Sequence, residues 1–195
     1  MTFAVKGIRL EGNWRYGWAL DLHTLSSTPR SGGGFDTDRT PIGDLLYHLK
    51  YYLDRSKVEP LAEIVTEFLQ SRLVFPYLAA IIPVPPSDTS RPFQPVQELA
   101  IQIGQKAGLP CPLDYLTKVK LTEALKGIED PAKRKEQLEG AFGVKSTALA
   151  GKYVVVFDDI YRSGETLRAI TDVLHNQGKI SRVYVLTVTK TRAKR

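Results

Sequence analysis

The stretch Val154-Val155-Val156-Phe157-Asp158-Asp159-Ile160-Tyr161-Arg162-Ser163-Gly164-Glu165-Thr166 decides the fold class. Four apolar residues in succession lead into two acids, then a turn of small residues, then Leu167 and a helical pattern. A run that is apolar at every position reads as a strand buried on both faces, as in a parallel sheet. The acids fall where such a strand emerges at its carboxyl end, the crevice in which open α/β sheets bind ligands. Ser163, Gly164 and Thr166 then set backbone N–H groups and two hydroxyls at the opening of a helix, a place suited to phosphate. Carboxylates for hydroxyls or a metal on one side, and a phosphate cradle on the other, suit a sugar phosphate. Acids so placed also bind Mg²⁺ alone or cap the next helix. The chain contains neither a Gly-x4-Gly-Lys-[Ser/Thr] P-loop nor a Gly-x-Gly-x-x-Gly dinucleotide fingerprint.

Downstream of this stretch, Leu167, Ile170, Val173 and Leu174 mark the buried face of a helix that stops at Gly178, and Val183–Thr189 reads as a last strand. Upstream, the same alternation of strand and helix recurs, the pattern of a parallel sheet. Residues 79–84 form a buried strand leaving through Pro83-Val84-Pro85-Pro86-Ser87, whose prolines stiffen the exit. Arg91 and Phe93 follow, then a helix over 94–106 closed by Gly108. Leu113–Thr117 and Ala141–Val144 read as further strands. Between them, Lys118, Lys120, Lys126, Lys133, Arg134 and Lys135 mark a basic insertion, either a plain surface loop or one that closes over an anion.

Two helices precede this core. Thr40 caps the first, with Pro41 at its opening and Ile42, Leu45, Leu46, Leu49 and Leu53 as one apolar stripe. The second opens at Pro60 and buries Leu61, Ile64, Val65, Phe68 and Leu69. Lys50 and Arg55 read most simply as exposed charges, the alternative being a place near a bound diphosphate. Phe3–Leu10 and Tyr16–Leu22 flank Gly12-Asn13 as a β-hairpin, with Trp14 and Trp18 covering core or lining a contact surface. Residues 26–40, with Gly32-Gly33-Gly34, read as a flexible linker. The expected organisation is an N-terminal hairpin and linker over 1–40 and an α/β domain over 41–195 with a basic tail.

At 195 residues, 43% hydrophobic and 25% charged, the chain has the composition of a soluble globular protein. No apolar run approaches the roughly 20 residues of a membrane span, and the N-terminus lacks a signal-peptide pattern, so a cytoplasmic protein is expected. Cys111 is the sole cysteine, which excludes an intrachain disulfide and a cysteine-based zinc site. Most of the net charge of +6 resides in Lys190, Arg192, Lys194 and Arg195. Such a tail permits nucleic-acid binding but is more often a solvated end. His23, His48 and His175 stand at no ligand spacing, and no chemistry is assigned to them.

The opening stretch resembles the phosphoribosyl-pyrophosphate (PRPP) signature of type I phosphoribosyltransferases along its whole length. Leu49-Lys50-Tyr51, Ile82-Pro83-Val84-Pro85, Arg91-x-Phe93 and the segment from Thr122 through Arg134 to Gly140-Ala141-Phe142 extend the likeness, nearest to the ComF-like, competence-associated group. The chain departs from that group in lacking a cysteine-rich zinc module. Pro92, Gln94 and Pro95 surround Phe93 where the group has Gly, Asn and Gln, and Arg162 stands where many relatives have Thr or Asp.

The resemblance implies a three-layer, parallel-sheet core with the N-terminal β-hairpin and two helices added, and a Mg²⁺-dependent transfer of phosphoribosyl from PRPP to a base or amine with diphosphate release. Asp158 and Asp159 would be catalytic, holding Mg²⁺ directly or through water, and Arg162, where the chain departs from the group, is counted with them as a catalytic cation that contacts the 5′-phosphate or locally replaces the metal's neutralising charge. Tyr161, Arg162, Ser163, Gly164, Glu165 and Thr166 would bind the 5′-phosphate. Val84, Pro85, Arg91, Lys118 and Lys120 would meet the diphosphate. The partners implied are PRPP and a small-molecule acceptor, with no membrane; nucleic acid and a homodimer stay open. A PRPP- or nucleotide-sensing module without turnover, and a DNA-processing accessory protein, are the alternatives.

Overall fold

Strand-forming runs from both ends of the chain meet in a single sheet. The structure is a computed structural model and describes residues 5, 7–119, 138 and 140–192. Its strands are β1 (Ile8–Arg9), β2 (Tyr16–Leu22), β3 (Thr24–Pro29), β4 (Phe35–Arg39), β5 (Leu78–Pro83), β6 (Leu116–Lys118), β7 (Phe142–Val144), β8 (Tyr153–Tyr161) and β9 (Arg182–Lys190). Its helices are α1 (Pro41–Tyr51), α2 (Val58–Gln70), α3 (Pro95–Ala107) and, after β8, α4 (Glu165–Asn176). Lys120, most of the basic insertion, and Lys194 and Arg195 of the tail lie outside the described residues.

The central sheet has the order β1-β2-β9-β8-β5, with β2, β9, β8 and β5 mutually parallel and β1 antiparallel at the edge. β8, the apolar run, lies inside it, and Val154, Val155, Val156 and Phe157 are each 0% exposed. Strand side chains alternate between faces. Val155 and Phe157 therefore join the core beneath α1, α2 and α3, and Val154 and Val156 the core beneath α4. Three layers result, as the α/β reading anticipates. A slip of one residue would exchange both sets of side chains, so packing on both faces fixes the register at Phe157 opposite Leu186 and Asp158 opposite Thr187.

α1 is fastened to the carboxyl end of β2. The Thr40 hydroxyl donates to the Leu22 carbonyl (2.6 Å) and accepts from the Gly43 N–H (3.0 Å), capping the helix while anchoring it. Gly43 admits the approach, because a Cβ there would lie 2.2 Å from the His23 carbonyl oxygen. The helix then runs on to Lys50. Among the described residues no helix is long and apolar enough to cross a membrane, and there is no cis peptide bond.

Three expectations change. Residues 26–40 are largely the antiparallel ribbon β3–β4 and not a flexible linker: Ser27–Thr37 (3.1 Å), Ser26–Asp38 (3.1 Å) and Arg30–Asp36 (2.9 Å) pair across it. The glycine run is its turn, where φ of +88° at Gly33 and +80° at Gly34 suits glycine alone. The strands expected near 113–117 and 141–144 stay outside the central sheet and pair with each other as a separate antiparallel ribbon, β6–β7. Leu53 lies past the end of α1, 53% exposed with φ of +55°, and is no part of the stripe. The N-terminal hairpin forms, and through β2 it is continuous with the central sheet.

Candidate functional site

Asp158 and Asp159 lie near the carboxyl end of β8, which runs on through Ile160 to Tyr161. Strand alternation turns Asp159 toward the α1 layer, and there the Lys50 ammonium meets it at 2.6 Å. Both partners are largely shielded, with side chains 22% and 13% exposed. Lys50 is not the free surface charge expected. It falls four residues after Leu46 and eight after Ile42, on the row of α1 that faces the sheet, and that spacing is the signal that places it inward. Asp158 accepts the Asp159 N–H at 2.8 Å. Burial, and after it the neighbouring Asp159 charge, push its carboxyl up to about 7 against the pull of Lys50 and Arg162.

His23 arrives at the same place because it follows β2. Its N–H donates to the Lys190 carbonyl (2.8 Å), and its Nδ1 lies 3.2 Å from the Thr189 hydroxyl. Burial, then the charges of Lys50, Arg39 and Arg162, lower the imidazole to about 4 while Asp159 opposes them, so the ring is neutral at physiological pH. Arg39, from β4, stacks its guanidinium 3.5 Å from the centre of the Tyr47 ring. The sequence carries no direct signal for His23 or Arg39, since the one follows a hairpin strand and the other ends a supposed linker.

On the far side of the acids, Arg162 and Ser163 are exposed and α4 begins. Its N-cap is Gly164 in the left-handed region, φ +82°, a residue with no side chain of its own to cap the helix. The start of this helix is its positive end, where backbone N–H groups gather. Glycine is required twice over, by its φ and because a Cβ would lie 2.7 Å from the Tyr161 hydroxyl. Glu165 and Thr166, both half-buried, follow in the first turn. Tyr161 is committed elsewhere: its hydroxyl donates to the Glu11 carbonyl at 3.2 Å.

The remaining residues singled out from the sequence are spread wider. Val84 is buried and extends the β5–β8 ladder by donating its N–H to the Phe157 carbonyl (2.9 Å), with Pro85 half-buried after it. Arg91 is exposed and pairs with Asp88 in its own loop (3.1 Å). Lys118 is half-buried on β6, and burial lowers its ammonium. An open groove beside Trp14, Arg15, His175 and Arg182 lies at the amino end of β9, opposite the end that carries the acids.

Among the described residues no group of three or more metal-ligating side chains assembles. Mg²⁺ is commonly held by one or two carboxylates, the rest of its shell being substrate oxygens and water. Asp158 and Asp159, adjacent hard donors, fit that partial role.

The chain superposes on the B. subtilis glutamine phosphoribosylpyrophosphate (PRPP) amidotransferase complexed with ADP and GMP with a TM-score of 0.50 and 17% identity, over 83% of this chain and 35% of that one. The fold is that of the type I phosphoribosyltransferases. The allosteric regulatory enzyme of purine biosynthesis matches at TM-score 0.48 and 18% identity (83% and 34% of the two chains). Leishmania donovani UMP synthase matches at 0.39 and 15% (85% and 27%). The chain spans about a third or less of the length of these proteins. No family model and no curated protein matches the sequence.

Proposed function

We propose that this protein binds PRPP and transfers its phosphoribosyl group to a base or amine acceptor. The observation that carries the reading is the junction at the end of β8, where the acid pair adjoins the glycine-capped N-terminus of α4. In this reading Asp158 and Asp159 hold the ribose 2′- and 3′-hydroxyls. Burial and the Asp159 charge hold the Asp158 carboxyl above the usual range, which favours its keeping a proton and so being able to donate to a hydroxyl as well as accept from one. Asp159 is held in place by Lys50. The loop from Ser163 to Thr166, with Gly164 at the helix N-cap, takes the 5′-phosphate, with Arg162 as a neighbouring cation. The bond from the anomeric carbon to diphosphate breaks as the bond to the acceptor nitrogen forms, and the positive charge that develops on the ribose lies near the carboxylates. Mg²⁺, held by Asp158 and Asp159, would when bound draw negative charge from the departing diphosphate. Arg91, Lys118 and Lys120 are the cations proposed for the diphosphate end. Leu49-Lys50-Tyr51 and Ile82–Pro85 favour a place near the ComF-like group.

Calorimetric titration with PRPP and Mg²⁺ tests the reading. The Asp158→Asn, Asp159→Asn double variant should fold and lose binding, whereas unchanged affinity would sink the assignment. Diphosphate release with nucleobases or ammonia present then identifies the acceptor. One observation favours a second reading, PRPP binding without turnover: the Lys50 ion pair leaves Asp159 already neutralised. Binding with no release for any acceptor would select it.

A further inference from the structure

The turn between β1 and β2 reaches the loop that opens α4, and Arg168 joins the two. Arg168 donates from Nη1 to the Ser163 carbonyl (2.8 Å) and from Nη2 to the Glu11 carbonyl (3.0 Å). The Tyr161 hydroxyl donates to the same Glu11 carbonyl. Asn13 Nδ2 closes the arrangement by donating to the Arg168 carbonyl (3.0 Å) and to Asp172 Oδ1 (2.8 Å). Trp14 sets its ring 5.9 Å from the guanidinium and edge-on to Tyr161 at 6.4 Å.

A trans peptide is planar, and its C=O and N–H point in opposite directions. Drawing the Ser163 carbonyl toward Arg168 therefore turns the Gly164 N–H away from Arg168, to the other side of the loop. We propose that Arg168 is a positioning residue: with the Glu11 carbonyl as its anchor, it fixes the direction in which the Ser163–Gly164 peptide offers its N–H to the 5′-phosphate. The N-terminal hairpin thus completes the phosphate cradle from behind, although none of its residues need touch the ligand. The guanidinium acts on a peptide plane and not as a counter-charge to the phosphate.

The inference rests on the proposed PRPP reading, and ribose 5-phosphate with inorganic diphosphate separates the two. Wild type should bind both by calorimetry. Arg168→Met should lose about ten-fold or more in affinity for ribose 5-phosphate, the scale of one charge-assisted hydrogen bond, and keep its affinity for diphosphate. Arg168→Lys, which can still reach one carbonyl, should recover part of the loss. Asn13→Ala, at an exposed position, should lower ribose 5-phosphate affinity in the same selective way and serves if Arg168→Met does not fold. Equal ribose 5-phosphate affinity in wild type and Arg168→Met, or in wild type and Asn13→Ala where that variant serves, overturns the inference alone. So does parallel loss of both ligands with a lowered melting temperature, the mark of general destabilisation. Wild type that binds neither ligand overturns the PRPP reading and the inference with it.

Discussion

Replacing Asp158 by Asn should make the fold more stable at neutral and alkaline pH while removing ligand binding. Asn keeps the shape and the oxygen that accepts the Asp159 N–H, but it cannot ionise. The Asp158 carboxyl is raised from 3.8 to about 7, by burial first and by Asp159 second. Between those values the folded chain binds more protons at this site than the unfolded chain, so stability falls as pH rises through the window and stays reduced above it. At about 1.4 kcal/mol per unit the full window corresponds to on the order of 4 kcal/mol. Asp158 retains some contact with solvent, which reduces this to roughly 2 kcal/mol. In a chain of this size that amounts to a melting temperature about 4–8 °C higher for the variant. Calorimetric melts from about pH 8 down to about pH 4 give the measurement, and the gain should shrink steadily as pH falls. A variant no more stable than wild type at the alkaline end, or a gain independent of pH, would refute the account of this carboxyl.

Two further outcomes follow from the same cluster. The His23 imidazole is lowered from 6.5 to about 4, so the folded chain binds fewer protons there than the unfolded chain, and its share of stability is lost as pH falls through that window. His23→Gln should flatten the acid limb of the stability profile; an unaltered limb would show that His23 is well solvated. Lys50→Met removes the cation 2.6 Å from Asp159. It should cost about 1–3 kcal/mol in denaturant unfolding, less than a fully buried pair, and raise the Asp158 carboxyl further in carboxyl NMR titration. No change in either measurement would mean that the pair does not persist in solution.

The core was legible because Val154–Phe157 is apolar at every position, and only a strand covered on both faces accommodates that. The cap at Thr40 and the stop at Gly108 were legible for the same reason, since each rests on local chemistry. The acid pair and the glycine turn follow that strand directly, so sequence adjacency became spatial adjacency. Lys50, His23 and Arg39 reach the site from three other elements, and their meeting depends on β2 pairing with β9, a parallel partnership more than 160 residues apart in sequence that leaves no local trace. The β3–β4 ribbon escaped because its Ser, Thr and Gly composition is that of a linker, and what orders it is cross-strand side-chain pairing.

The same stretch that fixes the sheet also sustains its least favourable end. Asp158 is held well above the usual carboxylate range, and His23 gives up its proton to burial and neighbouring cations. Each feature opposes folding and persists only if the surroundings over-determine it. The four fully buried side chains before Asp158 each contribute about 1.5–3 kcal/mol. Together they exceed the few kcal/mol at stake in the acid pair. With His23 neutral and Asp158 able to keep its proton, Lys50, Arg39 and Arg162 outweigh the negative charge around the acids. A ligand bearing both hydroxyls and several negative charges meets all of these groups at once. A neutral sugar would leave the cations uncompensated, and inorganic phosphate would leave the carboxylates without partners. On the proposed reading the site would therefore favour a sugar polyphosphate over either of its parts, and a preference for PRPP over ribose 5-phosphate should weaken as salt is raised.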